Sequence, residues 1–406
     1  MNRDKIREKL KIKPVELEHL KQFNELLRYV FQVTDSDIEE SGYEDESDIT
    51  RAKRPVLKSA DVIGWFEGES LISQLAIYPC EVNIHGEIYA MGGVTGVGTY
   101  PEYANLGLMQ DLIEIALGKM RNQKQWISYL YPYSIPYYRR KGWEVMSDKI
   151  HFKVKDSQLP KQLTVPGSVE RQVSDHPDVI AVYDEFARKN HGAMIRNQLN
   201  WDEYWRWENE EERVAAVYYN VENQPTGYCL YWIAEEVFHI KEMVYLNQEA
   251  RKGLWNFIAA HFSMINYVEG DVFKNEPIAF LFEDSDMEET LSPFFMARIV
   301  DVEQFLLNYP FDSTVKPFHL VVNDPIAQWN NRTFGLIWDE ADQVTITDEA
   351  LGNPVYIDIQ TLTTMFMSYK RPTYLHRIER FTTDKETLRS LERLIPLETA
   401  YFSDYF

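Results

Sequence analysis

Gly107 stands where a run that reads as a buried strand gives way to one that reads as a helix. The strand side, Met91-Gly92-Gly93-Val94-Thr95-Gly96-Val97-Gly98-Thr99, is small and β-branched with little alternation, and Pro101 ends it by removing a ladder donor. The helix side places Leu108, Leu112, Ile113 and Ile115 on an apolar face, with Gln110, Asp111 and Glu114 toward water. Backbone amides at such a helix start have no acceptor inside the helix, and the helix dipole points the same way, so the turn attracts anions. A residue without a side chain lets a phosphate approach the backbone closely. Spacing alone leaves two readings open, a phosphate-binding turn or a packing glycine.

Other chemistries find no motif. Nine histidines are scattered without H-x-H, H-E-x-x-H or C-x-x-C spacing, so no metal site is expected. There is no G-x-S-x-G elbow and no P-loop. The two cysteines, Cys80 and Cys229, lie far apart in apolar runs and read as buried thiols in a reducing compartment.

The run from Gly92 to Thr95, with Ile127-Ser128-Tyr129-Leu130-Tyr131-Pro132 and Tyr137-Tyr138-Arg139-Arg140-Lys141-Gly142-Trp143, resembles the Eis (enhanced intracellular survival) family of GNAT acyltransferases. The likeness extends over nearly the whole chain and is closest at about residues 85–150. It implies acetyl-CoA as co-substrate, its pyrophosphate cradled by an R/Q-x-x-G-x-G/A turn matching Ala104, Asn105, Leu106, Gly107, Leu108 and Met109. The backbone of Gly96, Val97 and Gly98 would pair with the pantetheine arm, and Tyr133 and Ser134 would border the cofactor. Tyr138 matches the acid of the Tyr-x-x-x-Gly-aromatic pattern; a phenol with an ordinary pKa near ~10 is protonated at neutral pH and can donate to a departing thiolate. Phe406 matches the family's last residue, whose α-carboxylate is general base; a carboxyl with pKa near ~3.5 is ionised and could take a proton from an amine directly or through a water. The turn departs from the family at both ends, Ala104 standing for Arg or Gln and Met109 for Gly or Ala. Each charge-assisted contact so lost is worth about 1.5–3 kcal/mol, so weaker CoA binding is expected.

These residues need a scaffold, and 406 residues with 45% hydrophobic and 14% aromatic content supply sizeable cores. The resemblance implies an α/β (α+β) chain of two tandem GNAT domains followed by a sterol-carrier-like domain: residues 1–155 catalytic, 156–290 a second, degenerate copy, 291–406 the C-terminal domain that brings Phe406. In the first part, Glu16–Val33 reads as an amphipathic helix, Thr34–Ser47 as an acidic loop beside the acceptor pocket, and Asp61–Trp65, Ser70–Ile77, Glu81–Ile84 and Ile88–Met91 as an antiparallel meander. In the second, Val179–Lys189 is helical, and Val214–Asn220, Gly227–Trp232 and Val237–Tyr245 are strands. Gly253 then echoes Gly107 ahead of a helix at Trp255–Ile265, and the Trp- and Glu-rich stretch Asn200–Arg213 borders the acceptor or merely packs. Met296–Val302 reads as the start of the third unit, with strands Phe318–Asn323, Arg332–Trp338 and Gln343–Thr347 and helices at Ile359–Met367, Tyr374–Glu379 and Thr383–Ile395.

A formal net charge of −22 excludes nucleic acid, which needs a positive surface, and steers cations inward; it also simply keeps a large protein soluble. No run of 18 apolar residues marks a membrane span, and no apolar leader follows Met1, so a cytoplasmic protein is expected. The resemblance implies a homo-oligomer, a hexamer in the Eis family. The leading expectation is direct acetyl transfer in a ternary complex to a primary amine: an aminoglycoside, a polyamine or a lysine side chain. Two alternatives stay open, transfer of a longer acyl chain and a non-catalytic binder of CoA, lipid or a cationic ligand.

Overall fold

A computed structural model describes residues 6–33, 46–206, 214–274 and 278–406. Most of the acidic stretch Thr34–Ser47 therefore lies outside the described residues, as do Trp207, Glu208 and Glu210.

The first part runs β1 (Leu10–Pro14), α1 (Leu20–Phe31), α2 (Glu46–Ser59), β2 (Asp61–Glu67), β3 (Ser70–Ile84), β4 (Glu87–Thr99), α3 (Leu108–Asn122), β5 (Ile127–Leu130), α4 (Ile135–Arg139), β6 (Glu144–Val145) and β7 (Asp148–Lys155). The expected meander is present, but its second and third pieces are one strand, β3, running through Pro79. Proline is tolerated there because β2 ends opposite Ile77 and β9, introduced next, begins opposite Glu81, so no ladder on that edge needs its missing N–H.

The second part runs β8 (Ser168–Val173), α5 (Pro177–Lys189), β9 (Met194–Ile195), α6 (Gln198–Arg206), β10 (Val214–Tyr219), β11 (Pro225–Ala234), β12 (Val237–Tyr245), α7 (Gln248–Ala259), β13 (Tyr267–Val272) and β14 (Glu288–Pro293). The third runs β15 (Met296–Ile299), α8 (Val302–Leu307), β16 (Phe318–Asn323), β17 (Thr333–Trp338), β18 (Val344–Thr347), β19 (Asn353–Asp358), α9 (Ile359–Phe366), α10 (Pro372–Arg377), β20 (Phe381–Thr382) and α11 (Lys385–Leu394).

Three sheets result: β1-β2-β3-β4-β5-β15-β6 with β9 beside β3, β14-β7-β13-β12-β11-β10-β8, and β18-β17-β16-β19-β20. The second repeats the first in outline. In each, four antiparallel strands lead to a helical crossover and a parallel fifth: β4–α3–β5 in one, β12–α7–β13 in the other. The sheets cross the divisions drawn from the sequence. Asp148–Lys155 leaves the first part to pair with β13, and Met296–Ile299 returns to pair with β5 and β6. Met296–Val302 thus does not open a separate third unit; its strand completes the first sheet, and a third sheet starts only at Phe318.

The echo at Gly253 is also corrected. Gly253 lies within α7, and a Cβ there would strike the Tyr218 ring, so it is a packing glycine. The helix starts six residues earlier at Asn247, whose side chain accepts the Ala250 N–H at 2.8 Å and so uses a donor an anion would need.

Candidate active site

Strand β4 changes partners along its length. From Met91 to Gly93 it pairs with β5, but β5 ends at Leu130, and no strand among the described residues pairs with that edge from Val94 to Thr99. On the other edge Gln74 faces Gly98 and Ala76 faces Thr95, so Leu75 alone opposes Gly96 and Val97. This β-bulge needs the left-handed backbone that Gly96 adopts at φ +60°. The bulge bends β4 where β5 stops, and the freed N–H and C=O groups form an extended row. Gly98 is fixed in this row by close packing: a Cβ there would meet Val30 of α1 at 3.0 Å.

Past Pro101 the chain makes one 3₁₀ turn and then two left-handed residues, Asn105 at φ 62° and Gly107 at φ 77°, before α3. Gly107 is the N-cap, and no side chain caps the helix. Leu106 and Leu108 point into the core, whereas Ala104, Asn105 and Gly107 are exposed and Met109 is half-buried. The amides of Leu108 and Met109, first in the helix, have no acceptor within it. Of the expected turn, therefore, the backbone faces outward while the apolar side chains anchor it. The Trp65 indole N–H holds the Leu108 carbonyl from behind at 3.0 Å.

A residue that sequence reading missed supplies the charge absent at Ala104. The Arg7 guanidinium reaches the same turn, Nη1 donating to the Leu106 carbonyl at 2.6 Å and Nη2 to Asp111 at 2.6 Å. A Cβ on Gly107 would sit 2.9 Å from Arg7 Nη1. No local signal marks Arg7, because its partners lie about a hundred positions away.

Tyr138 lies in α4, immediately after β5. It is 7% exposed and packs with Leu130, Trp143 and Met296 on the α3 side of the first sheet. Burial, with Tyr137 beside it, pushes its phenol pKa well above the ordinary value, so it stays protonated. The turn after α4 explains the Gly in the Tyr-x-x-x-Gly-Trp spacing. Gly142 is left-handed at φ +94°, and the space of a Cβ is filled by the Arg298 guanidinium. Arg298, fully buried on β15, donates to the Lys141 carbonyl and pairs with Asp324 at 2.7 Å. Tyr133 is 85% exposed on the β5–α4 turn, and Ser134 is the N-cap of α4, its hydroxyl making no cap bond.

Phe406 lies on the other face of the same sheet. Its ring would be 2.8 Å from a Cβ on Gly93, stacks on Tyr78 at 6.0 Å and tilts against Phe295 at 5.4 Å. Beside Gly93 in register is Tyr129, whose buried hydroxyl has no hydrogen-bond partner among the described residues. Tyr405 meets Tyr131, the residue just beyond β5, edge to face with ring centres 5.0 Å apart. The structure thus brings the last residues and Tyr138 to one end of β5 but in separate apolar clusters, with the sheet between them. The Asn200–Arg213 stretch, where described, packs inward: Trp201 and Tyr204 cover the Arg196 guanidinium at 4.6 and 3.9 Å.

Both cysteines are buried, and burial pushes the Cys80 thiol up to about 12 and that of Cys229 higher still. Neither offers a thiolate at neutral pH. No group of His, Cys, Asp and Glu among the described residues is arranged to hold a metal, and no helix among them is long and apolar enough to cross a membrane.

Comparison with known proteins agrees with the three-sheet layout. Residues 11–146 match an acetyltransferase (GNAT) domain family, residues 192–299 a second acetyltransferase (GNAT) domain family, and residues 302–403 a sterol carrier protein domain family. A conserved protein of unknown function from Enterococcus faecalis V583, described as a probable N-acyltransferase, is 28% identical, with TM-score 0.89 over 98% of this chain and 99% of that one. A GCN5-related N-acetyltransferase from Anabaena variabilis shares the fold at 21% identity and TM-score 0.84, covering 98% and 100%. Eis1 from Mycobacterium abscessus shares it at 15% and 0.80, again covering 98% and 100%. No curated protein sequence matches the chain.

Proposed function

We propose that this GNAT acetyltransferase, whose two GNAT domains precede a sterol carrier domain in the Eis-like order, moves an acetyl group from acetyl-CoA directly onto a primary amine. The observation that carries the reading is the unpaired edge of β4 from Val94 to Thr99, which leads straight to the open amides at Leu108 and Met109. An extended pantetheine arm can complete that edge as a strand would, along the backbone of Gly96, Val97 and Gly98, while the pyrophosphate rests on the helix start. Ala104 and Asn105 would bound the phosphate turn, and Tyr133 and Ser134 would flank the arm.

In the proposed step the amine nitrogen attacks the thioester carbonyl carbon and the carbon–sulfur bond breaks. The α-carboxylate of Phe406 accepts the proton the amine loses, and the Tyr138 phenol protonates the departing thiolate. The products are an N-acetyl amide and free CoA. Buried, neutral cysteines favour direct transfer over an acyl-enzyme. The charge of −22 favours a cationic acceptor, such as an aminoglycoside, a polyamine or a lysine side chain.

Calorimetric titration with acetyl-CoA should give a Kd in the ~1 μM–1 mM range usual for enzyme substrates. Thiol release should then follow on adding a panel of primary amines. No heat and no thermal shift at millimolar acetyl-CoA would overturn the cofactor assignment, and binding without thiol release from any amine would overturn turnover.

Arg7 is placed to assist. Since its guanidinium is exposed and already shared with Asp111, its aid to the pyrophosphate is modest. Arg7→Met should raise the KM for acetyl-CoA about tenfold, equal to roughly 1.4 kcal/mol, with kcat nearly unchanged. Asp111→Asn, which removes a nearby negative charge and frees Arg7, should lower that KM. An unchanged KM in Arg7→Met removes Arg7 from the site.

A further inference from the structure

The last seven residues, Ala400 to Phe406, form no helix and no strand, yet only Tyr405 among them is exposed. No ladder sets their register. Apart from the aromatic packing of Phe402, Tyr405 and Phe406, a buried polar cluster in the second domain holds them. The Arg196 side chain, fully buried between β9 and α6, donates from Nε to Asp404 at 2.7 Å and from Nη2 to Glu242 of β12 at 2.9 Å and to the Ser403 hydroxyl at 3.2 Å. Its planar guanidinium lies 3.6 Å from the ring centre of Tyr183 and 3.9 Å from that of Tyr204. Glu242 in turn accepts from Tyr228 at 2.6 Å and from Ser403 at 2.6 Å, and Tyr183 reaches Asp404 at 3.0 Å. Upstream, the Tyr401 N–H donates to the His191 carbonyl at 2.8 Å, and the chain passes so close over Gly192 that a Cβ there would lie 2.6 Å from Ala400.

Two carboxylates and one guanidinium are a costly way to fill a core, because apolar side chains of the same volume avoid the desolvation. What the cluster adds is register. Only an acid at 404 and a hydroxyl at 403 satisfy Arg196 and Glu242 together, so the segment cannot slip by one position. A slip would carry its end about 3.3–3.6 Å along.

We infer that Arg196 and Glu242 are positioning residues, through which the second GNAT domain sets where the α-carboxylate of Phe406 lies in the first. The inference rests on the proposed role of that carboxylate. It gives the second domain a task in the reaction that requires no ligand at its own capped helix.

The test combines Asp404→Asn, Ser403→Ala, Arg196→Met and Arg196→Lys with three readouts: melting temperature, release of Phe406 and Tyr405 by carboxypeptidase A followed by mass spectrometry, and kcat against KM for acetyl-CoA. Asp404→Asn keeps shape and volume, so it serves if Arg196→Met does not fold. In the folded variants Asp404→Asn and Arg196→Met, release should quicken at least tenfold, kcat should fall at least tenfold, and KM for acetyl-CoA should stay within twofold. Ser403→Ala should show smaller changes in the same sense, and Arg196→Lys should recover part of both effects. A segment as protected as in the wild type overturns the inference, whatever kcat does. Quicker release with kcat unchanged leaves the anchorage standing and overturns instead the role of the Phe406 carboxylate.

Discussion

Appending one glycine after Phe406 should lower kcat at least 100-fold while leaving acetyl-CoA affinity within a factor of two. The addition turns the α-carboxylate of Phe406 into a neutral amide and moves the charge about 3.5 Å farther along the chain. Misplacement of an acting group by about 1 Å is already worth ~100-fold in some enzymes. The ring of Phe406 is kept in this variant, so its packing on Gly93, Tyr78 and Phe295 is not the quantity being changed. Two companions separate ring from charge. Deleting Phe406 removes the ring and draws the terminal carboxylate back to Tyr405, about 3.5 Å short, and should lose turnover equally. Phe406→Ala keeps a carboxylate at the same chain position but forfeits the burial of an aromatic ring, about 1.5–3 kcal/mol, so it should lose activity less and melting temperature more. The Ala104–Met109 turn proposed to hold acetyl-CoA takes no part in these contacts, so the cofactor should bind as before in all three. Steady-state rates with one good amine acceptor and calorimetry with acetyl-CoA read the two halves of the prediction. Full turnover in the glycine-extended protein would dismiss the carboxylate as base.

What the residues declared in advance and what they hid divide along a physical line. The long strands, the amphipathic α3 and the left-handed start at Gly107 follow from period, β-branching and a missing side chain, all of them local. The Tyr138–Gly142 spacing was legible as a pattern, but its cause was not. The glycine is required because Arg298, over 150 positions away, occupies the space of its Cβ. Gly253 shows the reverse failure. Its spacing imitates Gly107, yet Asn247 starts the helix earlier and the glycine serves a tyrosine ring. Strands β7 and β15 were misassigned to their chain neighbours, since alternation says which face a strand buries but not which sheet it joins. Arg7 and Arg196 escaped notice for the same reason: a charged side chain is read from sequence as solvated until its distant partner is known.

Tyr138→Phe should cut kcat about 100-fold, the low end of what general acid–base groups contribute, with KM for acetyl-CoA nearly unchanged. The substitution leaves the ring that packs with Leu130, Trp143 and Met296 and removes only the hydroxyl, so stability should hardly move. The pH dependence of kcat follows from the same burial. Burial raises the phenol pKa, which means the proton-bearing form persists as pH rises well past the usual phenol range. Deprotonation of Tyr138 should therefore put no alkaline limb into kcat up to pH ~10, the ordinary phenol value, and the Tyr138→Phe defect should be constant from pH 7 to pH 10. Tyr137→Phe, its half-buried neighbour on the same helix, is the control and should change kcat less than twofold. The thioester carbon carries both the departing sulfur and the incoming nitrogen, so the proposed pair requires phenol and carboxylate to reach one acetyl group past the end of β5 at Leu130, although their rings pack in separate apolar clusters. A Tyr138→Phe protein that turns over at the wild-type rate would leave the thiolate to depart unaided and would remove the phenol from the mechanism.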